Sequence, residues 1–430
     1  MQFPRLFILA LDGTPFTLLQ KLTADGIMPN FKKLKSESDF RQMDSVNPPV
    51  SSSAWASFLT GATPDQHGIL GFVERNPADM DWFVPNTKHL LKSTLWQALS
   101  EQGKRVFSMN VPLTYPPQSI NGISICGFLG TDITKGTYPP EIGTMLKGRG
   151  YRIDVDTELA KRDSSGFLDQ LFEVFEKRME IMWHFYGQEK WDVFMAHIME
   201  TDRLHHFFWE YYELKQEPYY TRFIELYRRI DRKIGKILNE MEHDSALMIL
   251  SDHGFCTLKY SVYLNRWLVQ NGYLHFSKDK PETLKDISNN TKAYSLYPGR
   301  IYINLKGREM HGSIGPGLEY EQLRTELTQR MQQFTDPVGL PVIKEVVRRE
   351  EVYPESNQSS SDLLPDLIAI GHEGYDLKGN LLHPLMFDKT IFNGMHTMDD
   401  AFILGKGIGL PSGRFSIAQL YPAILKHISI

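Results

Sequence analysis

Acids and histidines recur directly behind short apolar runs in this chain. Leu6-Phe7-Ile8-Leu9-Ala10-Leu11 leads into Asp12-Gly13. Val193-Phe194-Met195-Ala196-His197-Ile198 is followed by Glu200-Thr201-Asp202 and then His206. Ala246-Leu247-Met248-Ile249-Leu250 is followed by Asp252-His253-Gly254. His396 stands in Asn393-Gly394-Met395-His396-Thr397, read as a loop ahead of a further apolar run at Ala401-Phe402-Ile403-Leu404. Carboxylate oxygens and imidazole nitrogens are ligands that suit zinc or manganese. Asp202 and His206 are four apart, so they share a face if Asp202 opens a helix. His205 is adjacent, and spacing alone leaves the choice between the two histidines open. Each residue also has a plain alternative: a turn at Asp12-Gly13, a helix cap at Asp202, a surface hydrogen bond for His396. Taken together they gather many ionisable groups, which calls for a metal or an extensive network.

A second stretch, PPVSSSAWASFLTG from Pro48 to Gly61, sets three serines between two prolines and an apolar segment. Serine ahead of an apolar run is a helix start. A hydroxyl there would also lie beside backbone N–H groups and the positive end of the helix dipole, which favour an incoming anion. The stretch does not say which of the three does chemistry.

The apolar runs read as buried parallel strands, with Leu367-Ile368-Ala369-Ile370 as another, because they lack the alternation of a half-exposed strand. Between them lie amphipathic helices. Phe167 to Tyr186 is the clearest, with Leu168, Leu171, Phe172, Phe175, Met179 and Met182 at helical spacing. Phe223 to Met241 and Ser93 to Gln102 are two more. Alternating strands and helices predict an α/β fold: a mostly parallel central sheet with helices on both faces. From about Cys256 the texture changes. A polar stretch, a strand at Arg300–Leu305 and a helix at Tyr320–Phe334 precede Glu355–Asp362, which reads as a flexible loop. The expected organisation is a discontinuous α/β domain, 1–255 with 362–430, carrying a smaller α+β insertion at 256–361.

Composition narrows the function. The 430 residues suffice for a full core, and 41% hydrophobic with 23% charged residues is the make-up of an ordinary globular protein. A formal net charge of -5 gives no reason to expect a nucleic-acid polymer or an anionic membrane as partner. Cys126 and Cys256 form neither a disulfide framework nor a CxxC pair, which argues against a thiolate zinc site. No run of about 20 apolar residues predicts a membrane span, and the N-terminal segment lacks the parts of a signal peptide. The expected location is the cytoplasm.

The ordered motifs ALDG (Ala10–Gly13), PPVSSSAWASFLTG, TPDQHGI (Thr63–Ile69), TDRLHHFFW (Thr201–Trp209), LSDHGF (Leu250–Phe255) and NGMH (Asn393–His396) resemble the alkaline phosphatase superfamily. The resemblance is to the branch of type I phosphodiesterases and nucleotide pyrophosphatases, with the related predicted phosphohydrolases and phosphomutases. That family carries its Thr or Ser nucleophile nine residues before the Thr of a Thr-Gly pair, which implies Ser51 here, ahead of Thr60-Gly61. The resemblance implies Asp202, His206 and His396 as ligands of a first metal, selecting His206 over His205. It implies Asp12, Asp252 and His253, with Ser51, at a second metal. It leaves His67 structural. The ions implied are two divalent metals, zinc or else manganese, about 4 Å apart, clamping the attacking and leaving oxygens. The activity implied is phosphoester hydrolysis, foremost of a diester, through a phosphoseryl intermediate on Ser51. The substrate would be a small-molecule phosphate ester of nucleotide, sugar or lipid-headgroup type. A phosphotransferase or phosphomutase handing the phosphoryl group to an alcohol is the alternative, followed by a non-catalytic binding protein.

The pattern departs from its relatives in places. Nucleotide pyrophosphatases proper carry an Asn shortly after the HGI motif to hold a phosphate oxygen; the position is Phe72 here. Arg308, in the insertion, is a candidate replacement that could bind phosphate bidentately, with a salt bridge as its plain alternative. Arylsulfatases need an Arg four positions after the nucleophile, where this chain has Trp55. Trp55 and Phe72 read as an apolar wall. Cofactor-independent phosphoglycerate mutases place their large insertion soon after the nucleophile, whereas here it follows Asp252-His253.

Overall fold

The apolar runs form strands whose side chains alternate between two buried clusters. In Arg5–Leu11, Phe7, Leu9 and Leu11 join one cluster, and Leu6, Ile8 and Ala10 the other. Val193–Ile198 divides the same way, with Phe194, Ala196 and Ile198 against Val193 and Met195. Successive strand side chains point to opposite faces, and when both faces are covered no polar alternation survives in the sequence.

The computed structural model describes residues 5–188, 190–243, 245–354 and 362–429. Its main sheet has eight strands, in the order Asp39–Met43, Ala401–Lys406, Ser245–Leu250, Arg5–Leu11, Val193–Ile198, Val106–Val111, Gly122–Cys126, Thr137–Tyr138. Ser245–Leu250 through Gly122–Cys126 run parallel. Ala401–Lys406 is antiparallel to both of its neighbours, and Thr137–Tyr138 is antiparallel at the far edge. The first cluster brings helices Phe16–Ala24, Pro29–Ser36, Ser164–Tyr186, Glu200–Glu213 and Tyr219–Glu240 onto one face. The second brings Ser51–Thr60, Leu95–Glu101 and Leu420–Ile428 onto the other. The α/β fold predicted from the sequence is the one observed.

Local chemistry sets the helix ends. Leu95–Glu101 starts at a capping box between Thr94 and Gln97, and Asp163 caps Ser164–Tyr186 by accepting from the Gly166 N–H. Register sets the level of the strand ends. Ala10 lies opposite both His197 and Leu250, so Asp12 and Ser251-Asp252-His253 emerge side by side at the carboxyl edge of the sheet. That edge is where open α/β sheets bind ligands.

The chain divides into two compact units. One comprises Met1–His67, Asn86–Cys256 and Ile391–Ile430, and holds the eight-stranded sheet. The other comprises Gly68–Pro85 and Thr257–Thr390. Its four-stranded sheet has the order Ala293–Leu296, Arg300–Ile303, Leu367–Gly371, Ile343–Arg348, and its core includes Leu323, Leu327 and Met331 of helix Leu318–Gln332.

These bounds differ from the 1–255/362–430 and 256–361 organisation expected from sequence. Leu367–Gly371, read with the parallel strands, pairs antiparallel with Ile343–Arg348 and Arg300–Ile303. Gly68–Pro85 joins the second unit through buried ion pairs, Arg300 to Glu74 at 2.7 Å and Arg75 to Glu309 at 3.2 Å. Partners so far apart along the chain leave no local pattern to read. The loop expected at 355–362 lies, as far as residue 361, outside the described residues. Among the described residues no helix is long and apolar enough to cross a membrane.

Candidate metal centre

Three carboxylates meet at the sheet edge, Asp202 and Asp252 each pinned through one oxygen and Asp12 through both. Asp12 Oδ2 accepts from the Trp55 indole N–H at 2.8 Å and from His197 Nε2 at 2.8 Å. Its Oδ1 accepts from the Ser51 hydroxyl at 3.2 Å. Asp252 Oδ1 accepts from the Gly13 N–H at 3.0 Å. Asp202, in the first turn of Glu200–Glu213, accepts through Oδ2 from Arg203 at 3.0 Å. Arg203 is held in turn by Asp154, its Nε donating at 3.1 Å. The opposite oxygens, Asp202 Oδ1 and Asp252 Oδ2, are buried without a hydrogen-bond partner. Buried acceptors are rarely left so.

The three histidines are oriented in a matching way. Nδ1 of His206 lies 3.2 Å from the Gly394 carbonyl, Nδ1 of His253 3.0 Å from the Gly254 carbonyl, and Nδ1 of His396 3.0 Å from the Pro49 carbonyl. An Nδ1–H that donates to a carbonyl leaves Nε2 as the ligand atom, which is how metal-binding histidines are held. The His206 and His396 Nε2 atoms are 3.0 Å apart. Asp202 Oδ1 lies 3.4 Å from the first and 3.3 Å from the second. His253 Nε2 is 3.4 Å from Asp252 Oδ2 and 3.6 Å from Asp12 Oδ1. His396 is on a short strand, Gly394–Thr397, which forms a two-stranded sheet with Gly254–Thr257. It is not on the loop expected from its glycine and asparagine neighbours.

Ligand atoms within 4.8 Å of one another define two groups, Asp202 with His206 and His396, and Asp12 with Asp202 and His253. Asp202 belongs to both. The electrostatics call for positive charge. Burial, then the charge of Asp12, push Asp252 well above the usual carboxylate range. Burial also opposes ionisation of Asp202, but the nearness of His206, His396 and Arg203 outweighs it and holds the carboxyl well below its ordinary value. Burial, then His396, lower His253 to about 4, so its imidazole is neutral and able to ligate. Orphaned carboxylate oxygens facing imidazole nitrogens are a donor set that fits divalent cations.

Ser51 is the first residue of helix Ser51–Thr60. The helix cap is Val50, in extended conformation with no side-chain hydrogen bond, so the serines occupy the first turn instead of capping it. The Ser51 hydroxyl oxygen lies 3.2 Å from Asp12 Oδ1 and 3.3 Å from His253 Nε2. The helix ends at Gly61, whose φ of 66° is the left-handed conformation that glycine adopts without strain.

Seven of the residues singled out from the sequence are thus assembled in one unit: Asp12, Ser51, Asp202, His206, Asp252, His253 and His396. His205 is separated from them. Its Nδ1 lies 2.9 Å from the Gly13 carbonyl and its Nε2 2.7 Å from the Tyr227 hydroxyl, and burial lowers it to about 3. His67 is buried 2.9 Å from the Ser57 hydroxyl, in a structural position. Phe72 and Arg308 belong to the second unit. Phe72 stacks on Tyr297 with ring centroids 6.2 Å apart. The Arg308 side chain is 5% exposed and donates to Asp366 at 2.6 Å, to Glu309 at 2.9 Å and to the Ile303 carbonyl at 2.7 Å. Its guanidinium is taken up by that network. Trp55, read as an apolar wall, is fully buried and donates to Asp12.

Sequence reasoning missed His197, Trp55 and Arg203 as neighbours of the candidate ligands. A histidine inside an otherwise apolar strand, and a tryptophan four residues after the serine on the same helix face, were the available signals.

The sequence profile described as "Type I phosphodiesterase / nucleotide pyrophosphatase" matches residues 6–399. No curated protein matches the sequence. Among solved structures, phosphonoacetate hydrolase from Sinorhizobium meliloti 1021 in complex with phosphonoformate superposes with a TM-score of 0.65 at 16% identity, over 100% of this chain and 96% of that one. Murine ectonucleotide pyrophosphatase / phosphodiesterase 5 in complex with AMP gives 0.59 at 13% identity, over 99% and 95% of the two chains. The human form of that protein gives 0.57 at 14%, with the same coverage. At these identities the likeness is one of fold.

Proposed function

The chain belongs to the type I phosphodiesterase / nucleotide pyrophosphatase family, and from that premise we propose that it is a two-cation phosphohydrolase acting on phosphodiesters through a phosphoseryl intermediate at Ser51. The observation that carries the reading is the position of the Ser51 hydroxyl. It stands at the head of an uncapped helix, 3.2 Å from Asp12 and 3.3 Å from His253, beside carboxylate oxygens that lack partners.

Asp202, His206 and His396 would hold one cation, and Asp12, Asp252 and His253 with Ser51 the other. Mixed oxygen and nitrogen donors favour zinc and admit manganese. Bound there, such cations lower the pKa of a coordinated hydroxyl and neutralise charge developing on the phosphoryl oxygens. The chain's own groups do the rest. Asp12 Oδ1 accepts the Ser51 hydroxyl hydrogen bond and aims the oxygen. The start of helix Ser51–Thr60 offers its dipole to a phosphoryl group. The Ser51 Oγ–phosphorus bond forms as the bond from phosphorus to the leaving oxygen breaks. Water then cleaves the phosphoserine in a second displacement that regenerates the hydroxyl. The substrate we propose is a small phosphate ester of nucleotide, sugar or lipid-headgroup type; the phosphonoformate and AMP complexes of the two structural neighbours support a compact phosphorus-bearing ligand.

The test compares p-nitrophenol release from bis-p-nitrophenyl phosphate and from p-nitrophenyl phosphate. Wild type and Ser51→Ala are assayed after chelation and after re-addition of zinc or manganese. Cation-dependent release, faster from the diester and abolished in Ser51→Ala, is expected. Activity that survives in Ser51→Ala refutes the nucleophile. No release from either ester with both cations bound moves the reading to phosphotransfer onto an alcohol acceptor.

A further inference from the structure

Asp12 is gripped more firmly than any other ligand of the centre, and by two groups that the reaction itself does not require. Trp55 Nε1 and His197 Nε2 both lie 2.8 Å from the same oxygen, Oδ2. An ionised carboxylate only accepts hydrogen bonds and an indole only donates, so the direction of the Trp55 bond is fixed. His197 must present Nε2–H, and its Nδ1 has no hydrogen-bond partner. All three side chains are buried, with Asp12, Trp55 and His197 each 0% exposed.

The geometry ties the carboxylate to the nucleophile. Ser51 and Trp55 are four residues apart on one helix and share a face. The helix therefore reaches both oxygens of Asp12, Oδ1 through Ser51 and Oδ2 through Trp55. His197 closes the grip from the neighbouring strand, where it is level with Ala10, two residues before Asp12. The indole stands edge-on to the imidazole, with ring centroids 4.9 Å apart.

We infer that Trp55 and His197 are positioning residues that make Asp12 a one-oxygen ligand. They occupy Oδ2 and reserve Oδ1 for a divalent cation on the Ser51, Asp252 and His253 side of the centre. The inference rests on the two-cation reading above. It deepens that reading by assigning the cation affinity of one side to two residues that touch neither cation nor substrate. Outer partners of this kind change metal affinity by about 10–100-fold when removed.

The experiment is an equilibrium titration of the metal-free protein with zinc against a chromophoric chelator, alongside thermal melts of each metal-free variant. Asp252→Asn and His396→Ala assign the two binding events to the two sides. Trp55→Phe removes the indole N–H together with part of the buried ring, a loss of packing that the melts register separately; His197→Leu removes the imidazole donor, and His197→Gln restores an N–H at a similar reach. The expected result is about 10–100-fold weaker binding in Trp55→Phe and His197→Leu, confined to the event lost in Asp252→Asn, with His197→Gln recovering most of it. Equal weakening of both events would mean a general structural role and overturn the inference, as would failure of His197→Gln to exceed His197→Leu. Two zinc ions in wild type with unchanged affinities in Trp55→Phe and His197→Leu would overturn it while leaving the two-cation reading intact. Fewer than two ions in wild type would overturn that reading and this inference with it.

Discussion

His67 should make the metal-free protein sensitive to acid by an amount that follows from its surroundings. The imidazole is 0% exposed and lies 2.9 Å from the Ser57 hydroxyl, tying the turn Pro64–His67 to helix Ser51–Thr60. Burial lowers its pKa to about 3, against 6.5 in the unfolded chain. Below pH 6.5 the unfolded state therefore binds a proton that the folded state refuses, and stability falls as pH falls. The contribution is complete above pH 6.5 and is lost on the way down towards pH 3. Linkage between those two values gives a loss of about 2.7 kcal/mol between pH 7.5 and 4.5, nearly all of it below pH 6.5. His67→Gln keeps a polar group for Ser57 and removes the titration. Urea unfolding of both proteins in chelator, at unit intervals from pH 7.5 to 4.5, reads the effect. The variant starts less stable, and the gap to wild type narrows by about 2.7 kcal/mol at pH 4.5. A gap that stays constant with pH would refute the argument, because it would mean that His67 takes up its proton in the folded protein.

Other substitutions test the framework. Arg203→Leu frees Asp202 Oδ2 and strands Asp154, and should cost the metal-free protein about 1.5–3 kcal/mol in urea unfolding, the range for hydrogen bonds to charged groups. Tyr227→Phe deletes the hydroxyl 2.7 Å from His205 Nε2 and leaves a buried acceptor unpaired; about 1–3 kcal/mol is expected by the same measurement. Arg308→Leu takes the guanidinium from Asp366, which is 0% exposed and keeps the Tyr320 hydroxyl and the Ile303 N–H as donors, and should destabilise the second unit by about 3–5 kcal/mol. Hydrogen exchange in Arg300–Ile303 and Leu367–Gly371 would report that loss, and full protection there would sink the structural assignment of Arg308.

The proposed ligands were legible in the sequence because of where parallel strands end. Asp12 and Asp252 follow apolar runs whose register brings them level, and Asp202 opens the next helix, so position along the chain predicts position in space. Ser51 needed more. Spacing placed three serines at a helix start, and only the Thr60-Gly61 pair with the family pattern separated them. The second unit was harder to read. The run at Leu367–Gly371 is as apolar as the parallel strands, but an apolar run does not name its partners, and this one pairs antiparallel with Arg300–Ile303. Gly68–Pro85 follows helix Ser51–Thr60 in sequence yet belongs with Arg300 and Glu309, because ion pairs across hundreds of residues have no local signature. Trp55 and His197 were visible as residue types but not as donors, since a hydrogen bond to Asp12 depends on packing that periodicity does not describe.

The place of Ala401–Lys406 between Asp39–Met43 and Ser245–Leu250 also has a meaning in time. A ribosome adding about 5–20 residues per second needs roughly 8–30 s to travel from Leu250 to Ala401. Throughout that interval the nascent sheet has an open edge at Ser245–Leu250, and Asp39–Met43 waits without a neighbour; such edges invite pairing with other chains. His396 emerges just before the strand that closes the gap. The last of the proposed ligands and the last central strand therefore emerge together.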